Sequence, residues 1–571
     1  MKRLTSLITR DKEFSASMAA AVEELAKSER YPIAVNGLSG GAHYAYIAEG
    51  VRELSERSGA PVLVLAGSES ERSKLTSCLV SRGLHAKEYK RRDFVFHNVS
   101  ASHDTERERL SVLLSLVSGE LDAVVTTPDA AVISTVPYDT LAALTLTLEV
   151  GGEISPDSLS QKLEALGFVR RDSVESAGQY ARRGGIVDFF KSSEENPIRV
   201  EFFDDEIDRM VSFDVLTQRA IEPVSAVKLM PAVEVMMSRE ARERIIKEVK
   251  SLIQKAPSDT AVAALKRELA VLEGGLALDS RDKYIGLIYE ERETLLSYMR
   301  SAGCETVFAV GTNEGEELLS KFFSEMKSNT ENLLSSGLVS ERCIAYSATD
   351  KEYRAYLSSS VVLHINSFSG ASGISKLSGL FGFRTKRCIA YGKNPVMLKE
   401  DVSSLYKSGY RIIIECENKA GLDSTYNLLT EEGYTVIRNE TGDIKLTEGA
   451  SITLTLGSLE GFDLIMPKIA LLSMGEDEGK MIMAHRRRQR ILKKSGGAGQ
   501  KIMSYAELEV GDYVVHANYG IGLFEGIESV RIDGVTKDYI TIRYAGTDKL
   551  FVPCDRLEMI GKYIGARESD L

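Results

Sequence analysis

The first 140 residues alternate short apolar segments with amphipathic helical patterns, and this alternation restricts the possible folds more than any other feature of the sequence. The apolar segments that we predict as strands lie at 33–35, 62–66 and 123–127, and helical patterns flank them at 17–28 and 68–82. Strands that alternate with helices form parallel sheets, because each helix returns the chain across the sheet before the next strand begins. We therefore predict an α/β domain with a parallel sheet, whose first part is 1–144.

The pattern changes after residue 144. A helical pattern at 158–166 is followed by two apolar runs, GGIVDFF at 184–190 and IRVEFF at 198–203, which are typical of antiparallel strands joined by polar turns. We predict an inserted α+β domain at 145–225. The first domain then resumes at 226–378, with a long helical stretch from Ser238 to Leu272.

The remaining third of the chain predicts two smaller units. At 379–478, strand-like runs (388–391, 411–415 and 434–438) alternate with helical patterns (395–407 and 420–432), which indicates a second small α/β domain. A basic linker helix (484–494) with a Gly/Ser-rich end lies in 479–503. At 504–571, short runs at 512–515, 522–526, 529–532, 539–544 and 549–552, with a turn at 545–548, predict a small five-stranded β-barrel.

The segment VNGLSGGAHY at 35–44 follows a predicted strand and precedes a helical pattern, which is the setting of a phosphate-binding loop. Such loops read G-x-x-x-x-G-K-[ST], and the lysine and hydroxyl hold phosphates and Mg²⁺. With Gly37 as the first glycine, the second falls on Ala42, the lysine on His43 and the hydroxyl on Tyr44. His43 is too short to imitate lysine, and Tyr44 places its hydroxyl too far away. We predict a degenerate loop, including Gly41, that binds no nucleotide.

Composition excludes several protein classes. The formal net charge of −12 argues against non-specific coating of nucleic acid. The sequence has no signal-peptide pattern and no apolar run of about 18 residues, so we expect a cytoplasmic protein without membrane contact. The six cysteines are scattered, and neither they nor the seven histidines have ligand spacing, so we expect reduced thiols and no metal site.

Several runs resemble, in order, those of one protein family. The degenerate loop at 37–46, YARRGGIVDFF at 180–190, VEFFDDEID at 200–208 and the segment 274–298 resemble the UvrB-like part of transcription-repair coupling factors. GDYVVHANYGIG at 511–522 resembles the start of the RNA-polymerase-interacting domain of that family, which is also found in CarD-type regulators and is a small Tudor-like barrel. The resemblance covers nearly the whole chain and implies a factor of transcription-coupled nucleotide excision repair.

The resemblance implies that the inserted domain binds UvrA. Arginines flank its motif strand, and a guanidinium suits carboxylates on a partner. Carried over from the family's motif, the expected UvrA-binding residues are Arg170, Arg171, Arg183 and Val187. The alternative is that these are ordinary surface arginines.

The resemblance also implies that the C-terminal barrel binds the β subunit of RNA polymerase. We expect pairing through an exposed strand edge, for which the run SVRID at 529–533 is the candidate. Val530 and Ile532 lie on one face and Arg531 on the other. The alternative, in which Val530 and Ile532 face the barrel core, stays open, as does DNA contact by the basic helix.

We find no nucleophile–base pair in the sequence and expect no catalytic residue. The resemblance implies that ATP, Mg²⁺ and most DNA contacts belong to translocase domains that follow in the family, so we expect a fragment without cofactor or ATPase activity. Two alternatives are a UvrB-type ATP-dependent DNA helicase and a CarD-type transcription regulator. UvrB is disfavoured, because it keeps an intact phosphate loop and a long aromatic hairpin, for which 88–109 is too short.

Overall fold

We describe the protein from a computed structural model. The described residues are 5–94, 96, 104–143, 146–191, 196–275, 278, 280–366, 376–392, 394–439, 451–457, 459–474, 500–501, 511, 513–516, 520–532, 535–543, 549–553 and 560–562. The predicted basic linker helix and the turn at 545–548 lie outside this part of the chain.

The N-terminal segment alternates strands and helices as predicted. A 3-10 helix at Thr5–Arg10 precedes α1 (Lys12–Leu25), β1 (Ile33–Asn36), α2 (Ala42–Ser58), β2 (Val62–Ala66), α3 (Glu69–Ser81), β3 (Ala86–Tyr89), α4 (Asp104–Val117), β4 (Ala123–Thr126), α5 (Pro128–Ala131), β5 (Ser134–Thr135) and α6 (Tyr138–Ala143). Strands β1, β2 and β4 are almost entirely buried, as expected where helices cover both faces of a sheet.

The inserted domain, called the insert below, is a sheet covered on one side by a helix, and its strands pair antiparallel except for the first two, which pair in parallel. Its elements are β6 (Leu146–Glu149), α7 (Pro156–Ala165), β7 (Val169–Arg170), β8 (Gln179–Arg183), β9 (Ile186–Phe189), β10 (Ile198–Phe203), β11 (Glu206–Phe213), β12 (Ala220–Pro223) and β13 (Ala226–Leu229). Strands β7 to β12 form one sheet in sequence order, and β6 pairs with β13. Buried residues of α7, the sheet and β13 share one apolar cluster, so β13 belongs to the insert.

The chain then completes the first sheet. The elements are α8 (Arg239–Lys255), α9 (Asp259–Glu273), a 3-10 helix (Arg281–Tyr284), α10 (Ile285–Ile288), β14 (Glu293–Thr294), α11 (Leu295–Ser301), β15 (Thr306–Val310), α12 (Thr312–Ser335), a 3-10 helix (Glu341–Cys343), α13 (Asp350–Ser359), β16 (Val361–Asn366) and β17 (Gly379–Gly382). The parallel seven-stranded sheet has the order β17-β1-β16-β15-β2-β4-β3, which confirms the predicted α/β fold with a parallel sheet.

Two details of this segment differ from prediction. The helical stretch predicted from Ser238 to Leu272 is two helices, α8 and α9, because Pro257 holds Ala256 in an extended conformation that ends α8. Strand β17, which we placed in the small domain, pairs with β1 of the first sheet.

The small α/β domain follows directly. It contains β18 (Thr385–Arg387), α14 (Pro395–Lys407), β19 (Arg411–Cys416), α15 (Lys419–Glu431), β20 (Val436–Asn439), β21 (Ser451–Leu456), β22 (Phe462–Leu464) and β23 (Ile469–Ser473). Its sheet has the order β18-β22-β23-β19-β21-β20.

The strand predicted at 388–391 is wrong in position. The structure has its strand, β18, at Thr385–Arg387. Cys388 N–H donates to the carbonyl of Gly461, Tyr391 N–H donates to that of Ser473, and Tyr391 is buried against the small-domain core. Within this run Ala390 forms an isolated parallel bridge with Ser473, and Tyr391 covers the core of the small domain.

The C-terminal strands form one antiparallel sheet. They are β24 (Gln500–Lys501), β25 (Tyr513–His516), β26 (Gly520–Ile532), β27 (Val535–Arg543), β28 (Lys549–Pro553) and β29 (Ile560–Lys562), in the order β24-β29-β25-β26-β27-β28. The strands predicted at 522–526 and 529–532 are one strand, β26, whose pairing with β27 shifts near Gly526. A bulge with glycine at positive φ lets a strand bend and continue. Closure of these strands into a barrel stays a prediction.

A buried ionic network joins the insert to the first domain. Arg109 Nε and Nη2 donate to the two carboxylate oxygens of Glu234, each at 2.8 Å, and both side chains are fully buried. The Arg109 guanidinium also lies 4.0 Å over the Tyr89 ring. Arg92 makes two 3.0 Å hydrogen bonds to Asp282. Because Glu234 lies in the segment that leads from the end of β13 at Leu229 back to the first domain, this network fixes where the insert returns.

Breaking this network should destabilise the protein. We expect Glu234→Met to lower the free energy of unfolding by about 3–5 kcal/mol, because it leaves the buried Arg109 guanidinium without its carboxylate. Chemical denaturation followed by circular dichroism measures the change. The matched double variant Arg109→Met/Glu234→Met removes both charges and should recover most of the loss. Equal destabilisation by the single and double variants would contradict the ionic explanation.

Candidate functional site

The degenerate nucleotide loop, residues 37–44, has the predicted strand–loop–helix architecture. It leaves the buried strand β1, turns through Gly37 (φ 81°) and Gly40 (φ 59°), and enters α2 at Ala42 with Gly41 as the N-cap. Glycine is favoured at both turn positions because a Cβ is disfavoured at positive φ.

The side chains at the lysine and hydroxyl positions of the loop are bound to a neighbouring helix. His43 Nδ1 lies 2.7 Å from the carbonyl oxygen of Gly40, and Nε2 lies 2.9 Å from Glu71 Oε1. Tyr44 donates its hydroxyl to Glu71 Oε2 at 3.1 Å. An oxygen atom thus lies within hydrogen-bonding distance of each ring nitrogen of His43. Glu71, in the first turn of α3, therefore holds both side chains.

Three backbone amides of the loop already have acceptors within the protein. Gly37 N–H donates to the carbonyl of Asn366 at 3.0 Å, and Ala42 N–H donates to that of Ser39 at 3.3 Å. Ser39 N–H donates to Thr385 Oγ1 at 2.7 Å, and the Thr385 hydroxyl donates to the carbonyl of Gly37 at 2.7 Å. Phosphate-binding loops work through free N–H groups that point at the ligand. In this loop those donors serve internal contacts.

Backbone from the small domain lies directly against the loop. A Cβ added at Gly41 would lie 1.8 Å from the carbonyl oxygen of Glu460, and one added at Gly40 would lie 2.7 Å from that of Gly461. The nearby Glu460 side chain pairs with Arg387 at 2.6 Å. Carbonyl dipoles and the carboxylates of Glu71 and Glu460 make the surroundings of the loop unfavourable for a triphosphate.

The insert presents a second candidate site on the face of its sheet opposite α7. Strand register places four exposed or half-exposed side chains on this face: Arg183, Ile186, Glu201 and Arg209. The exposed Arg171 follows β7 on the same face, and its N–H donates to the Tyr180 carbonyl of β8. We call these five residues the arginine face. Side-chain exposure is 55% for Arg183 and 57% for Arg209. The exposed ring of Phe203, at 77%, ends β10 beside this surface.

A buried carboxylate organises the arginine face. Asp188 accepts hydrogen bonds from Arg199 Nε at 2.8 Å and Nη2 at 2.9 Å, and from Arg183 Nη2 at 3.2 Å. The Arg199 guanidinium also lies 4.4 Å over the Phe213 ring. Arg199 therefore makes its contacts within the insert. Arg183 shares only one nitrogen with Asp188, so most of its donors remain available to a partner.

The structure separates the four residues predicted for UvrA binding. Arg171 and Arg183 belong to the arginine face. Arg170 is exposed but pairs in register with Tyr180, whose ring lies in the core on the α7 side, so Arg170 is on the opposite face. Val187 is fully buried in the insert core and cannot contact a partner directly. Ile186, its exposed neighbour, takes the place that we had predicted for Val187.

Sequence reasoning missed Ile186, Phe203 and Arg209. The signal was strand alternation, since residues that flank a buried position point to the other face of the sheet. This alternation was not visible in the sequence at 186–189, because the one polar residue of that run, Asp188, is also buried.

The polymerase-binding candidate lies in the β26–β27 hairpin. Val530, Arg531 and Ile532 pair with Lys537, Thr536 and Val535 of β27. On its other side β26 pairs with β25 only through Gly520–Leu523, so within the described residues the edge of β26 at 529–532 is unpaired. The side chains of the three residues lie outside the described part.

No helix among the described residues is long and apolar enough to cross a membrane. The same residues contain no group of three or more His, Cys, Asp or Glu arranged for a metal ion. Cys78, Cys304, Cys343 and Cys416 are buried, and Cys388 is partly buried; all five are free thiols.

The loop should give the protein a specific acid sensitivity. Burial raises the pKa of Glu71, but hydrogen bonds from His43 and Tyr44 and the His43 charge outweigh burial and hold it below 4.5. The unfolded chain therefore binds this proton first, so the stabilisation is present above pH 4.5 and is lost as pH falls through the lowered folded-state value. Between pH 6 and pH 3, the difference in unfolding free energy between wild type and Glu71→Gln should shrink.

The control for this measurement is Glu69→Gln, which changes an exposed carboxylate on the same helix. Its difference from wild type should be small throughout. A Glu71→Gln difference that stayed constant from pH 6 to pH 3 would contradict the assigned contacts.

Two family models match the chain. The UvrB interaction domain matches residues 146–234, which cover the insert and its return to the first domain. The CarD-like/TRCF RID domain matches residues 508–564, which include β25 to β29. A solved structure of S. tokodaii Xpd4 aligns at 10% identity over 84% of this chain and 87% of that chain, with a TM-score of only 0.18, and has no bearing on the fold.

Curated relatives share one description. The transcription-repair-coupling factor of Bacillus subtilis (strain 168) is 27% identical over 93% of this chain and 45% of the relative. Those of Staphylococcus epidermidis (RP62A) and Staphylococcus haemolyticus are 26% and 25% identical over 81% and 94% of this chain, and 39% and 45% of the relatives. The chain thus spans less than half the length of these relatives. By these matches, the chain is similar over most of its length to transcription-repair-coupling factors and carries matches to a UvrB interaction domain and a CarD-like/TRCF RID domain.

Proposed function

We propose that this chain is the partner-binding part of a transcription-repair coupling factor. Its insert binds UvrA, its C-terminal sheet binds the β subunit of RNA polymerase, and neither step uses nucleotide hydrolysis by this chain. The observation that carries the proposal is that one chain combines a UvrB interaction domain with a CarD-like/TRCF RID domain. Such a chain can connect a stalled polymerase to the excision-repair machinery.

The arginine face supports UvrA binding. Arginine and aromatic side chains are enriched among residues that dominate binding energy, and apolar neighbours exclude water from them. Arg183 carries a largely free guanidinium, Ile186 supplies apolar area beside it, and Phe203 adds an exposed ring. Contact with a partner would remove the exposed Phe203 ring and the Ile186 side chain from water.

The unpaired edge of β26 supports polymerase binding by strand addition. Exposed strand edges carry free N–H and C=O groups that can pair with a strand of another protein. In pairing of this kind the main-chain hydrogen bonds supply affinity, and side chains on the strand, such as Arg531 in the run at 529–532, supply specificity.

The covered loop supports the absence of nucleotide chemistry. Catalysis of phosphoryl transfer needs a cationic side chain on the phosphates and a hydroxyl for Mg²⁺. The corresponding His43 and Tyr44 both hydrogen bond to Glu71, and three amides of the loop have internal acceptors. The chain therefore acts by holding partners together.

The first test concerns UvrA. Arg183→Glu and Ile186→Asp should each weaken UvrA binding about ten-fold or more, because they place a carboxylate in the centre of the arginine face. Binding of purified UvrA to the immobilised chain, measured by surface plasmon resonance, gives the dissociation constants.

The matched control is Lys162→Glu, a charge reversal on α7 at the opposite side of the same sheet. It should leave UvrA affinity unchanged. Wild-type affinity in both test variants would refute the assigned surface. Failure of the unmodified chain to bind UvrA, with polymerase binding retained, would refute the proposed function and favour a CarD-type regulator.

The second test concerns RNA polymerase. Amide exchange of residues 529–532 should slow when the polymerase β subunit is added, because strand addition gives their free N–H groups acceptors. Arg531→Glu should weaken the complex, whereas Lys501→Glu, in β24 at the other end of the sheet, should not. Protection that appeared on β24 or β29 and not at 529–532 would contradict the assigned edge.

A further inference from the structure

The small domain and the first domain meet at the nucleotide loop, and every glycine of that loop contacts backbone beyond the first sheet. A Cβ at Gly37 would lie 2.1 Å from the carbonyl oxygen of Phe383, which links β17 to β18. The corresponding neighbours of Gly40 and Gly41 are the carbonyl oxygens of Gly461 and Glu460 in the small domain. Approaches this close are possible only where the side chain is a hydrogen atom.

We propose that the loop at 37–44 now serves as a docking site for the small domain's own segment Leu459–Gly461, so that the two domains form one body independent of nucleotide. A nucleotide-binding loop between two domains ordinarily lets them open and close with the ligand. Here a permanent part of the chain replaces the ligand, and the two domains stay together whether or not ATP is present. This inference rests on the loop contacts and not on UvrA or polymerase binding.

Gly41 distinguishes docking from ordinary turn geometry. Gly37 and Gly40 have positive φ, where glycine is favoured for backbone reasons alone. Gly41 has φ −64° and ψ −6°, a conformation that any residue adopts without strain. The need for glycine at position 41 therefore comes from the 1.8 Å approach of Glu460 and from Leu459, whose Cγ would lie 3.2 Å from the added Cβ.

A buried ion pair holds the docked segment in place. Arg82, at the C-terminal end of α3, donates to Glu415 Oε1 at 2.9 Å, and both side chains are buried. The second oxygen of Glu415 accepts the Leu459 N–H at 2.6 Å. One carboxylate of the small domain thus connects the first domain to the segment that covers the loop.

Apolar contacts make the interface continuous with the core. Leu38 and Ala42 of the loop belong to the same buried cluster as Leu459, Phe462 and Leu471 of the small domain. Domains that move relative to each other generally meet through more polar interfaces. The shared cluster, the ion pair and the glycine contacts all favour a fixed arrangement.

Hydrogen–deuterium exchange of the full chain tests the proposal. In Gly41→Ala, amides of the loop and of 459–473 should exchange about ten-fold faster than in wild type, because the added methyl group separates the docked surfaces. Amides of β10 and β11 in the insert should be unchanged. The control is Gly382→Ala, where a Cβ meets open space and φ is not positive, and its exchange should match wild type throughout.

A second variant tests the contact from the small-domain side. Thr385→Val removes the hydroxyl that bridges Ser39 N–H and the Gly37 carbonyl, and it should accelerate the same two regions. This variant decides the question if Gly41→Ala fails to fold. Unchanged exchange in both variants, or equal acceleration across the insert as well, would overturn the proposal, since the first result means no docking and the second means general instability.

Discussion

The contact between Gly41 and the carbonyl of Glu460 determines how the N-terminal half of this protein is arranged. It brings the backbone of the small domain against a loop whose architecture belongs to nucleotide-binding proteins. Beside that backbone, His43 and Tyr44 both contact Glu71. In our proposal, the absence of nucleotide binding and the attachment of the small domain both follow from this one packing arrangement.

The charged residues divide into two groups with different physical roles. Arg109, Arg92 and Arg82 are buried, each paired with a carboxylate on another segment of the chain, and they fix the relative positions of these segments. Arg183 and Arg171 are exposed on the insert. A buried arginine costs too much to desolvate unless it is paired, so the first group contributes internal specificity. An exposed arginine costs little to keep free and can bind a partner's carboxylate.

The sequence allowed the order of elements in the N-terminal and small domains to be predicted, because local signals agreed with tertiary structure there. The helix at Pro395–Lys407 has Asn394 as N-cap and proline at its start, and its bounds were predicted to the residue. The contacts that decide function were less accessible. Asp188 is buried only because Arg199, on the next strand, pairs with it, so the run at 186–189 gave no sign of which side faces solvent.

Long-range contacts were also beyond the reach of sequence patterns. Nothing local to Gly41 indicates that Glu460 lies against it. The run at 388–391 was predicted as a strand from its local pattern, which does not show its contacts with Gly461 and Ser473. The edge of β26 was predicted from the family resemblance and from the alternation of its side chains, but its availability depends on β25 pairing with only the first part of that strand. In each case the missing information was which distant segment covers a given residue.

The most direct test of the central claim is whether the loop takes up nucleotide. Isothermal titration of the chain with ATP and Mg²⁺, extended to millimolar nucleotide, should show no saturable heat, because Glu460 and Gly461 lie against the loop and three of its amides have acceptors in the protein. One-to-one saturable binding that disappears in His43→Ala would contradict the account, since it would mean that a triphosphate can displace the small domain from the loop.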